Sequence, residues 1–103
     1  MPQQTLSLGQ TATLQDARVT PLAAWTLAGE STLRLRVENI GAATLSTAHW
    51  SAQLHTREGV IHGTIEEKQI RACQIDFVLC AAAGSLGLWE ISTDAVLLAV
   101  SAD

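Results

Sequence analysis

Thr32-Leu33-Arg34-Leu35-Arg36-Val37-Glu38-Asn39-Ile40-Gly41 opens a run to Leu54 that decides the fold of this chain. Leu33, Leu35 and Val37 alternate with Arg34, Arg36 and Glu38, so one face of an extended segment is apolar and the other charged. A strand whose side chains point alternately to two faces buries one of them and wets the other. The turn at Asn39-Ile40-Gly41 ends the segment, and a second alternating run follows. This is the pattern of an all-β sandwich. It identifies a buried face and says nothing about a bound molecule.

Outward from that run, Gly9, Pro21, Gly29, Gly41, Gly59, Gly63, Gly84 and Gly87 punctuate the chain at short intervals, as turns between strands do. Strands are expected over residues 11–19, 32–39, 49–56, 60–65, 70–79, 86–91 and 95–100, about seven in two packed sheets. The inward sets are Leu33, Leu35 and Val37; Trp50, Ala52 and Leu54; Cys73, Ile75, Phe77 and Leu79; and Trp89 with Ile91. Parity breaks in the first strand, where Ala12 and Leu14 oppose Ala17 and Val19. A bulge at Gln15-Asp16 reconciles them.

The last expected strand is apolar on both faces, so something must cover the second one. The N-terminal segment or a loop over residues 21–27 would serve within one chain. A homodimer interface through Val96, Leu98 and Val100 would serve between chains. In that second case Val100→Asp should turn a dimer into a monomer. Periodicity alone also leaves room for a short helix here.

The length of 103 residues allows one domain and one core. Six Lys and Arg against ten Asp and Glu give a net charge of −4, and the basic cluster of Arg34, Arg36 and Arg57 sits among carboxylates. Nucleic acid is therefore not an expected partner. The start, Met1-Pro2-Gln3-Gln4, has no positive or apolar leader region, so the chain reads as cytoplasmic unless it is the trimmed remainder of an exported protein. The longest apolar run, residues 77–83, is far short of the ~20 residues that cross a bilayer. Cys73 and Cys80, seven residues apart in one expected strand, would lie roughly 23 Å from each other. They are expected to be free, buried thiols.

Among chemistry-bearing residues, His55 and His62 form the candidate metal pair. A two-residue turn at Glu58-Gly59 would set them directly opposite each other, while His49 lies too far along the strand to join them. Ser85 in Ala83-Gly84-Ser85-Leu86-Gly87 does not match a nucleophile elbow, because its first glycine abuts the serine. Glu66, Glu67, Asp76 and Glu90 fall on separate segments and read as solvated carboxylates. No catalytic set and no cofactor are expected. Trp25, in the loop after Pro21, is the tryptophan available for stacking on a partner, and Arg34 with Arg36 completes the candidate binding residues.

Val37-Glu38-Asn39-Ile40-Gly41 with Leu45 resembles the V-x-N-x-G-(x)3-L element of bacterial immunoglobulin-like sandwich domains. The element order is similar to that of small domains of uncharacterised bacterial lipoproteins related to a secreted immunogenic antigen. There an Asn-Gly turn precedes a hairpin, here Glu58-Gly59, and then a strand with a central Phe, here Phe77 within Gln74-Ile75-Asp76-Phe77-Val78. The resemblance implies an Asn that closes the strand, a Gly with positive φ, and a non-catalytic extracytoplasmic domain. The expected function is accordingly a protein-binding module. A structural subunit of a virion or surface assembly is the first alternative, and a metal-binding protein using His55 and His62 is the second.

Overall fold

The clean alternation of residues 32–38 is realised as one of the longest strands of an all-β sandwich, with Leu33, Leu35 and Val37 fully buried. The computed structural model describes residues 3–94 and 96–101. In chain order its strands are β1 (Gln3–Ser7), β2 (Ala12–Thr13), β3 (Ala17–Leu27), β4 (Glu30–Asn39), β5 (Leu45–Ser46), β6 (Ser51–Thr56), β7 (Gly59–His62), β8 (Thr64–Ile65), β9 (Gln69–Ile70), β10 (Ile75–Ala83), β11 (Leu88–Ser92) and β12 (Leu97–Ser101). Two five-stranded sheets, β1-β12-β11-β6-β7 and β2-β3-β4-β10-β8, enclose the core, and β5 pairs with β9 at the side. Trp89, Leu54, Ile91, Leu98 and Val100 from the first sheet meet Val19, Leu33, Leu35, Val37 and Val78 from the second. No helix among the described residues is long and apolar enough to cross a membrane.

Several expectations are corrected by the strand pairing. The parity break at Gln15-Asp16 is a chain reversal and not a bulge: Leu14 N donates to Ala17 O, and β2 runs antiparallel to β3 with Ala12 opposite Val19. A reversal changes parity as surely as an inserted residue does, so the two are indistinguishable in sequence. The expected loop over residues 21–27 is the second half of β3. Its bulge lies between Pro21 and Ala23, where proline has no N–H to give the ladder.

The strand expected over residues 70–79 divides. Ile70 ends β9, and Cys73 turns the chain with a φ of 64° before β10 begins at Ile75. In β10 the buried set is Val78, Cys80 and Ala82, while Ile75 and Phe77 face solvent and Leu79 is half-buried. The inward parity assigned to Cys73, Ile75, Phe77 and Leu79 is thus reversed. Gln74 and Asp76 make the buried parity look polar at the start of this strand, so its own sequence points to the wrong face. The choice is made by β4, which sets Val78 against Leu35 and Cys80 against Leu33.

The last strand also differs from expectation. Leu98 and Val100 are fully buried and Val96 nearly so, all in the core. They are therefore not available as a subunit surface. β1 pairs in parallel along the edge of β12, from Gln3 against Leu97 to Ser7 against Ser101. Ala95, where this strand was expected to begin, lies outside the described residues.

Two local devices hold the sandwich ends. Asn39, buried, donates through Nδ2 to Ala43 O and Ile70 O, both at 2.8 Å, and accepts from Gly41 N at 2.9 Å. This is the strand-closing role expected of it, although Gly41 is not among the residues with positive φ. At Gly87 a Cβ would stand 2.1 Å from His55 O; the backbone of the loop before β11 runs too close to β6 for any side chain.

Candidate interaction face of the second sheet

β3, β4 and β10 turn their outward residues to one open surface. The residues opposite each other across β3 and β4 are Arg18 and Glu38, Thr20 and Arg36, Ala23 and Arg34, and Trp25 and Thr32. Across β4 and β10, Ile75 faces Glu38, Phe77 faces Arg36, and Leu79 faces Arg34. Trp25 and Phe77 are each 40 % exposed on this surface, and Ile75 is similarly open. The three candidate binding residues, Trp25, Arg34 and Arg36, are therefore brought to one face, with Trp25 on a strand and not a loop.

The charges here are arranged unevenly. Arg18 pairs with Glu38 at 3.1 Å, and Thr11 and Thr20 share a hydrogen bond of 2.7 Å beside them. The Arg34 guanidinium lies over the Phe77 ring, 4.4 Å from its centroid. That placement is favourable, since a cation over an aromatic face is drawn to its π cloud. Among the described residues neither Arg34 nor Arg36 makes an ion pair. Sheet geometry separates Trp25 from Phe77 by roughly 16 Å, within the footprint of a protein partner.

The concavities on this face and at the end of the sandwich are small. A pocket at one end of the sandwich, lined by Leu14, Asp16, Trp50 and Asp94 among others, measures about 110 Å³. The cleft between Thr11, Arg18, Arg36 and Glu38 measures about 220 Å³. Small-molecule sites usually start near ~300 Å³.

The metal pair is not assembled as expected. The hairpin turn is Arg57-Glu58, with Thr56 opposite Gly59, so His55 faces Val60 and His62 faces Gln53. A one-residue change in turn position moves every cross-strand partner. His55 instead places Nε2 against Glu90 Oε1 on β11, while His62 and His49 are exposed. No group of three or more His, Cys, Asp or Glu suited to a metal occurs among the described residues.

Both cysteines are free, Cys80 buried and Cys73 exposed, the latter against expectation. Burial, with a smaller contribution from the Glu66 charge, pushes the Cys80 thiol up to about 12 from 9.0. The unfolded thiol ionises first, so this stabilisation is complete below pH 9.0 and is lost as pH rises towards 12. Unfolding free energy should fall by about 1.4 kcal/mol per pH unit in that window, and the Cys80→Ala variant should lack this component. Thiol alkylation at neutral pH should add one group to the native chain and two to the unfolded chain, read by mass spectrometry.

No family model and no curated protein matches the sequence. Among solved structures, the chain is similar to an uncharacterised β-sandwich protein from Clostridium difficile 630, with a TM-score of 0.73 over 98 % of this chain and 95 % of that one, at 6 % identity. At that identity the likeness establishes the β-sandwich fold.

Proposed function

We propose that the chain is a non-catalytic protein-interaction domain of immunoglobulin-like architecture that recognises its partner with the outer face of β3, β4 and β10. The order β3-β4-β10-β8 corresponds to the A-B-E-D sheet of immunoglobulin domains, and β12-β11-β6-β7 to G-F-C-C′. The chain visits them in the alphabetical sequence, with β1 and β2 as additions before the first.

The observation that carries the recognition role is Arg34 held on the exposed face of Phe77, beside an open Trp25 and an Arg36 with no ion pair among the described residues. Trp, Phe and Arg are the residue types concentrated at the energetic centres of interfaces. Two arginines without carboxylate partners among the described residues suit a partner surface bearing Asp or Glu, which would also steer its approach. A role as structural subunit of a surface assembly draws on a different feature, the uncharged outer edge of β3.

The test is comparative capture from an extract of the source cells. Proteins retained by the wild-type chain should be lost with Arg34→Glu/Arg36→Glu and kept with His62→Ala, which alters the opposite sheet. Equal capture by all three chains would end the proposal.

A further inference from the structure

We infer that the outer edge of β3 pairs antiparallel with the same edge of a second copy of this chain, about a two-fold axis at Trp25. The backbone shows which groups are available. Ala28 and Gly29, with φ of 53° and 78°, close the β3-β4 hairpin in the manner of a type I′ turn. Leu27 and Glu30 are then a hydrogen-bonded pair, and so in alternation are Trp25 with Thr32 and Ala23 with Arg34. It follows that Ala24 and Thr26 direct their N–H and C=O groups away from β4. Before the bulge the same side of β3 is occupied: β2 covers Arg18 and Val19, and Pro21 O accepts from Gly9 N at 2.7 Å. From Leu22 to Leu27 no strand among the described residues covers it.

Charge guards parts of two other edges against strand pairing. On β10 the Asp76 carboxylate accepts from Phe77 N, with Lys68 nearby, and β7 follows the charged turn Arg57-Glu58. Beyond Pro21 and its bulge the edge of β3 has no such charge: residues 21–29 include no charged side chain. Leu22 and Leu27 are exposed along it together with Trp25.

The occupant follows from charge and symmetry. Each copy carries a net charge of −4, so two copies approach favourably only where no like charges meet. This edge meets that condition against itself. With the axis at Trp25, Ala24 and Thr26 of one copy exchange hydrogen bonds with Thr26 and Ala24 of the other. The two Trp25 side chains then face each other in a non-hydrogen-bonded pair, the closest side-chain spacing an antiparallel ladder offers. The outer faces of both copies become one continuous sheet surface. A contact of a few residues per side lies at the small end of interface sizes, so the dimer belongs to high protein concentration.

Light-scattering mass tests the pairing on the protein alone. The wild-type mass should rise from 10.9 kDa towards twice that value as concentration climbs from about 10 μM to about 1 mM. Trp25→Lys and Trp25→Glu should each stay monomeric, by repulsion of the charge from its own copy, and their equimolar mixture should recover a species of dimer mass. Circular dichroism confirms that both variants are folded. A wild-type chain that remains monomeric over this range, or variants that associate as the wild type does, or a mixture of folded variants that stays monomeric, would overturn the inference. The Arg34→Glu/Arg36→Glu chain should dimerise normally, so failure of pairing is distinguishable from failure of partner recognition.

Discussion

Asn39→Ala should destabilise the sandwich by about 2–4 kcal/mol, because it strips partners from three backbone groups at once. Asn39 Nδ2 satisfies Ala43 O and Ile70 O, and Oδ1 satisfies Gly41 N. Ile70 is almost fully buried, so its carbonyl gains little from water when the amide is removed. Asn39→Asp should be no milder despite its similar shape. A carboxylate has no N–H to give the two carbonyls and adds a buried charge. Because a domain's whole stability is only about 5–15 kcal/mol, the loss is a large part of it. Urea unfolding should show a lower midpoint for both variants with an unchanged slope; wild-type midpoints would show that these bonds contribute nothing net.

Val100→Asp should abolish folding, and not convert a dimer to a monomer. Val100 is fully buried between Leu6 on β1 and Trp89 on β11. A carboxylate there would find apolar neighbours and no partner, a class of substitution that costs more than about 4 kcal/mol. Leu97→Asp is the internal control, since Leu97 is half-buried and points to the other face of the same strand. Circular dichroism should show lost β signal for the first variant and a retained signal for the second. A folded, monomeric Val100→Asp chain would contradict the placement of β12 in the core.

What was legible in the sequence depended on whether one face of a segment was polar. Residues 32–38 were, and the buried set Leu33, Leu35 and Val37 followed directly. In residues 75–83 the polar Asp76 lies on the buried parity, which points Phe77 to the core and hides its contact with Arg34. The signal for Phe77 lay outside its own strand, in the fixed parity of β4. Trp25, Arg34 and Arg36 were identified as candidates, yet their shared face was not, because Pro21 suggested a loop where a bulged strand continues. Gly29, just ahead of the alternating residues 32–38, was the available hint of a hairpin. The histidine pair failed for a smaller reason, a turn displaced by one residue from Glu58-Gly59 to Arg57-Glu58.

Site-specific photo-crosslinking in the source cells tests recognition through the outer face most directly. A photoreactive residue would replace Arg18, at the rim of that face, or His62, on the opposite sheet, leaving Trp25, Arg34, Arg36 and Phe77 intact. Recognition through the outer face predicts a covalent partner adduct at position 18 and none at position 62. Adducts at position 62 alone, or at neither position, would contradict it.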